Sequence, residues 1–143
     1  VCGIAGLIAK DSPTLGNDLI NMLKELIHRG KDATGVAIYE NRDTIDLRVS
    51  MTAADFQKDL EKILEAYGQV SNARIYQGQG IFTFYEASVD MDPGRISDLN
   101  WAIDSHPEVC VHSLGQRLKV YKDEGSAEEL QNCHKIPSIR GTH

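Results

Sequence analysis

The stretch "HRGKDATGVAIYE", residues 28–40, is where the chain changes from helical to extended character. On its N-terminal side Leu19, Ile20, Leu23, Leu26 and Ile27 recur at the spacing of one helix face. His28-Arg29-Gly30 closes that helix, and a glycine at this point suits a left-handed cap. Asp32 suits the turn that follows. Thr34 to Tyr39 then reads as a strand, Asn41-Arg42-Asp43 as a turn, and Thr44 to Met51 as a hairpin partner. Upstream, Gly3 to Ala9 is short, apolar and bounded by Lys10-Asp11-Ser12-Pro13, the pattern of a buried strand.

Downstream the pattern starts again. Thr52 and Asp55 form a capping signal, Phe56, Leu60, Ile63, Leu64 and Tyr67 share a helix face, and Gly68 stops it. Gly80 to Val89 alternates as a strand, with Ile81, Thr83, Tyr85 and Ala87 on one side and Phe82, Phe84 and Glu86 on the other. Asp92-Pro93 is an N-cap with proline at the first helical position, and Ile96, Leu99 and Ile103 carry the stripe of that helix. Val109–Ser113 and Leu118–Tyr121 are strands around Gly115-Gln116, and Ser126 with Glu129 is a capping box for a last helix. Counted from Thr44, the order is β-α-β-α-β-β. The core expected for this part is Phe56, Leu60, Leu64, Phe82, Phe84, Ile96, Leu99, Val109 and Val111.

Composition bounds the function. The 143 residues carry 41% hydrophobic and 25% charged residues, ordinary values for one domain with an insertion. A net charge of -6 argues against a nucleic acid or an anionic membrane as the main partner. Three widely spaced cysteines suggest reduced thiols and a cytoplasmic protein. No apolar run approaches the ~18 residues of a membrane span.

Cys2 stands one residue from the start of the sequence. If Val1 stands for an initiator residue that is removed, the cysteine gains a free α-amino group. That group has an unperturbed pKa of about 7.7–8.0, lower than any lysine, and can take the thiol proton. One residue then supplies both nucleophile and base. By position alone a small buried residue is the commoner fate of such a cysteine.

"CGIAG" (residues 2–6) and "HRGKDATG" (residues 28–35), in this order and separated by one helix, resemble the class II glutamine amidotransferases, which are N-terminal-nucleophile hydrolases. Lys31 and Thr34 depart from the usual family residues without removing a group that does chemistry. The resemblance covers about residues 1–50 and 138–143. It implies an α+β fold, part of a four-layer αββα sandwich. It implies Cys2 as nucleophile, with Arg29 and Gly30 supporting the active site. For Arg29 a helix-terminal cation is the alternative reading. Glutamine is the implied substrate and a synthase domain or subunit, as in glutamate synthase, the implied receiver of ammonia. No metal or other cofactor is implied, and a homo-oligomer is compatible. "RGTH" (residues 140–143) resembles the start of the family's next strand. In the family the substrate-gripping arginine lies later in that segment and the oxyanion-hole residues farther on, both beyond residue 143, so the 143 residues alone are expected to be inactive.

Residues 52–137 exceed the usual crossing between these motifs. They resemble the insertion of archaeal-type glutamate synthase amidotransferases, and their element order is close to a ferredoxin-like module. The expected domains are 1–51 as the amidotransferase front, 52–137 as the inserted α/β subdomain, and 138–143 as the next strand. An alternative is an inactive front half whose insertion senses a ligand or docks a protein. Cys110, His112, Cys133 and His134 do not match zinc-ligand spacing. Trp101 reads as core or interface, and Lys122-Asp123-Glu124 as a solvated turn.

Overall fold

The computed structural model describes residues 3–10, 12–29, 32–52 and 54–136, with only the backbone of Arg29 and Ala54. Among the described residues the fold is α+β: a two-stranded and a four-stranded sheet with four α-helices. It forms two compact units, one of residues 1–40, 78–80 and 120–143, the other of residues 41–77 and 81–119.

The second unit holds strand β2 (Ile45–Met51), helix α2 (Gln57–Glu65), strands β3 (Gln69–Gln77) and β4 (Thr83–Asp90), helix α3 (Ile96–Asp104) and strand β5 (Val109–Gly115). Its sheet runs β3-β4-β2-β5 with every neighbouring pair antiparallel. The order is therefore β-α-β-β-α-β, a ferredoxin-like topology. This corrects the expected β-α-β-α-β-β in two places. Strand β3 was not legible, and the last strand belongs to the other unit. Nor are residues 34–39 and 44–51 hairpin partners, because β2 lies between β4 and β5.

Alternation gives this sheet two different faces. Leu47, Val49 and Met51 of β2 join Tyr85, Ala87 and Val89 of β4 beneath Leu60 and Leu64 of α2 and Leu99 and Ile103 of α3. Phe56, Ile63, Tyr67 and Val111 pack around that core. Phe84 is buried but lies in register with Ser50 and Tyr76, among polar residues on the opposite face, not in the helix-side core expected for it. Asp92 caps its turn as expected, its carboxylate accepting from Gly94 N at 2.9 Å. The Thr52 capping signal is not used, because a 3-10 turn at Ala54–Phe56 leads into α2 without a side-chain cap. Gly68 is required where β3 enters: a Cβ there would overlap the carbonyl of Asp90, the register partner of the next residue, Gln69.

The first unit holds helix α1 (Leu15–Glu25), strand β1 (Ala33–Tyr39), most of strand β6 (Leu118–Glu124) and helix α4 (Ala127–His134). β1 pairs with β6. Leu15, Ile20, Val36, Ile38, Tyr121, Leu130 and Ile136 form the core. The capping box of α4 forms, with Ser126 Oγ accepting from Glu129 N and the Glu129 carboxylate accepting from Ser126 N at 2.7 Å. The buried strand expected at Gly3–Ala9 is not present as such. The segment is outside any assigned strand, and Ile4 and Ile8 are 93% and 85% exposed. Trp101, read as core or interface, is 76% exposed on α3.

Tyr85 supplies a test of the core assignment. Its hydroxyl is buried on the helix side and has no hydrogen-bond partner among the described residues. Burial, reinforced by Glu61 and Glu65, raises its pKa above the ordinary tyrosine value. Tyr85→Phe deletes an unsatisfied polar atom and keeps the ring, so it should stabilise the fold by about 1 kcal/mol in urea unfolding. A loss of that size would mean that the hydroxyl has a partner.

Candidate functional site

Of the residues assigned to chemistry by sequence, only the backbone of Arg29 is described. Cys2 and Gly30 lie outside the described residues. Arg29 ends a 3-10 turn, Ile27–Arg29, that continues α1. From this end the chain passes to β1, where Thr34 Oγ1 donates to Gly125 O at 2.8 Å and Gly125 N donates to Asp32 O at 3.0 Å. These bonds tie the start of β1 to the turn between β6 and α4.

The first unit contains a buried polar cluster that the sequence reading missed. Tyr121 and Asp123 are the inward positions of β6, and Lys122 and Glu124 the outward ones. Asp123 is thus not in a solvated turn. Its Oδ2 accepts from Gln79 N at 3.0 Å and lies 2.9 Å from His134 Nε2, both side chains being fully buried. Its Oδ1 accepts from Glu124 N at 2.9 Å. Gln79 Nε2 donates to Cys133 Sγ at 3.3 Å. The carboxylate faces one ring nitrogen of His134 and fixes the orientation of the imidazole. The signal that could have found it is the alternation Tyr121-x-Asp123 beside Cys133-His134.

Of the four residues weighed as a zinc set, Cys110 and His112 are on β5 of the second unit, and Cys133 and His134 on α4 of the first. Among the described residues no cluster of three or more His, Cys, Asp or Glu has the arrangement of a metal site.

The polar face of the four-stranded sheet carries most of the buried charge. Arg48 pairs with Glu86, which also takes Arg74 Nε at 2.7 Å and Tyr76 Oη at 2.9 Å. The Arg48 guanidinium lies 4.8 Å from the ring centre of Phe84, within cation–π range. Asp46 pairs with Arg42, accepts from Ser88 Oγ at 2.9 Å and has Lys119 Nζ at 3.8 Å. His112 Nε2 is 2.8 Å from Ser50 Oγ. Burial lowers the Lys119 pKa first of all. Asp46 opposes that shift, and Arg42, Arg48 and Arg74 add to it.

Comparison with known proteins bears on the whole chain. No protein-family model matches it. It is similar to the "Glutamine amidotransferase-like protein GlxB" of Rhizobium meliloti (strain 1021), 27% identical over 151 aligned positions that take in 100% of this chain and 48% of that protein. It is also similar to a Methanothermobacter thermautotrophicus protein named "Putative glutamine amidotransferase", 27% identical over 154 positions, 100% of this chain and 50% of that protein. The chain thus spans about half the length of the curated relatives it matches. These distant relatives support a glutamine amidotransferase family. Among the described residues no helix is long and apolar enough to cross a membrane.

Two stability measurements check the electrostatics. Asp123→Ala removes the carboxylate that faces His134 Nε2 and accepts from Gln79 N and Glu124 N, and should cost about 1–3 kcal/mol for the buried polar groups it deserts. Cys133→Ala loses one weak thiol contact and should stay within about 1 kcal/mol. Equal losses from both would contradict the role given to Asp123.

Lys119 is lowered in the folded state from 10.5, so between its folded and unfolded pKa the unfolded chain binds more protons. Its contribution to stability therefore rises as pH increases toward 10.5. Lys119→Met should flatten that part of the urea-midpoint profile. An unchanged slope would exclude the lysine as its source.

Proposed function

We propose that this chain is the N-terminal-nucleophile part of a class II glutamine amidotransferase, an enzyme, in which Cys2 attacks the side-chain amide of glutamine. The single observation carrying this reading is the similarity along the entire chain to two proteins named for glutamine amidotransferase, in a sequence holding "CGIAG" and "HRGKDATG". In this reading the α-amine of Cys2 takes the thiol proton. The thiolate adds to the amide carbon, the carbon–nitrogen bond breaks, and ammonia leaves with the proton returned by the amine. Water then hydrolyses the glutamyl thioester and restores the thiol. Arg29 and Gly30 support the nucleophile, and ammonia passes to a synthase domain or subunit such as that of glutamate synthase. The first unit is part of an αββα sandwich, and the α/β subdomain is an insertion into it, all in the cytoplasm.

A second reading draws on the ferredoxin-like order of the second unit. It makes that unit a ligand-sensing or protein-docking module on a front half without turnover. The two differ in what Cys2 does.

In the complete protein Cys2→Ala should abolish ammonia release from glutamine, a fall of at least about a thousandfold, while leaving the thermal midpoint unchanged. Retained turnover would refute the nucleophile assignment, and loss of folding would make Cys2 a packing residue.

A further inference from the structure

Among the exposed apolar side chains of the second unit, Trp101 is the largest and the most open, at 76%. Its place on α3 explains the exposure. Leu99 and Ile103 hold the helix on the core of the unit. Trp101 stands two positions from each, which at 3.6 residues per turn is the opposite side. A lone exposed leucine or isoleucine needs no explanation. An indole is different, because it offers a large rigid surface and a ring face that attracts cations.

The surroundings of the ring have one sign of charge. Residues three and four apart are neighbours on a helix surface. Asp98 precedes Trp101 by three positions and Asp104 follows by three, with Ser97 and Ser105 four away, and all four are exposed. Among the described residues neither aspartate side chain has an ion pair or a hydrogen bond, and α3 contains no lysine or arginine. The cationic groups nearest in sequence are turned elsewhere. The Arg95 guanidinium lies 4.5 Å from the ring centre of Tyr67, and the His106 ring lies 4.3 Å from that of Phe56. Asp104 is also the last residue of α3, where the negative end of the helix dipole disfavours an acid. Helix stability therefore does not account for it. A cation brought to this face meets two carboxylates, the negative helix end and the indole together.

We propose that the outward face of α3 docks a basic segment of another protein chain, with one arginine or lysine on the Trp101 ring and others paired with Asp98 and Asp104. Tryptophan and arginine are the side chains most enriched at the energetic centres of protein interfaces, and such centres tend to meet one another. A second copy of this chain is the weaker occupant. A two-fold contact through this face would set the aspartates of one copy against those of the other, in chains that each carry a net charge of -6. The inference rests on α3 alone and does not depend on the glutamine chemistry proposed above.

Trp101 is the only tryptophan among the 143 residues, so its fluorescence reports on this face directly. The probe is an alanine-rich helical peptide with three arginines on one side, labelled with fluorescein and titrated at low salt; its control has citrulline in place of arginine. The arginine peptide should move the Trp101 emission to shorter wavelength, and the control should not. By anisotropy of the label, Trp101→Ala should weaken binding by at least about tenfold, and Asp98→Asn with Asp104→Asn by about as much. Trp101→Phe keeps a ring face and should recover part of the loss. All these positions but the control pair are on the exposed side of α3, and every variant should keep its thermal midpoint. The control pair, Glu25→Gln with Asp43→Asn, removes the same charge from exposed positions elsewhere and should leave binding within about twofold. The proposal is overturned if the arginine peptide leaves the emission unchanged, if the citrulline peptide acts equally, or if the control pair weakens binding as much as the α3 pair. A shift that grows with protein concentration alone would make a second copy the occupant and overturn it too. So would protection of Trp101 from hydroxyl-radical oxidation in the complete protein by itself, which would make the protein's own remainder the occupant.

Discussion

Arg48 is fully buried, and its charge has to be met where it lies. An unpaired guanidinium in that position would cost several kcal/mol. Glu86, opposite on β4, meets it, and Arg74 and Tyr76 of β3 hold Glu86 in place. The pair sits in register across β2 and β4, with Asp46 and Ser88 two positions along. A slip of one residue would send Arg48 and Asp46 into the core beneath α2 and α3, and Leu47 and Val49 to the polar face. The charged row therefore fixes the register on which the apolar core depends. It adds specificity more clearly than stability, since such pairs are costly to desolvate.

The first unit is organised differently. Among the described residues its sheet has two strands, and the connection between β6 and α4 is held by polar contacts: Asp123 with His134, the capping box of Ser126 and Glu129, and the bonds between Gly125, Asp32 and Thr34. These contacts converge on the start of β1, the strand that follows "HRG" in the sequence. The start of β1, next to one of the amidotransferase-like motifs, is thus braced locally. An amidotransferase reading requires a rigid frame around its nucleophile, because reaction rate depends on holding reacting groups within a fraction of an ångström.

Much of this was legible in the sequence where local chemistry is strong. The helix stripes of Leu60 with Leu64 and Leu99 with Ile103, the Asp92-Pro93 start and the Ser126–Glu129 box all appear where residue type and spacing placed them. Strand β3 was not legible because Ser71, Asn72, Arg74 and Gln77 are polar, the strand is an edge, and its bulge breaks the alternation. Pairing across sheets was misread for a related reason. Residues 34–39 and 44–51 are close in sequence, but what decides their partners is burial on both faces of β2, a long-range property. Asp123 was taken for surface because acidic neighbours normally are. Its partner His134 lies eleven residues away, on another element. Of the site itself, the sequence supplied Cys2, Arg29 and Gly30 through motif resemblance alone. Cys2 and Gly30 and the side chain of Arg29 are outside the described residues.

The account's central claim is that one of three thiols is chemically distinct. Cys110 is exposed and Cys133 is partly exposed, so accessibility alone favours Cys110. A glutamine-like electrophile, applied to the complete protein and followed by intact mass and peptide mapping, separates activation from exposure. The account predicts a single adduct, on Cys2 at a free amino terminus, formed faster than any on Cys110 and suppressed by glutamine. An adduct that forms first on Cys110, or at equal rates on all three cysteines, would contradict it.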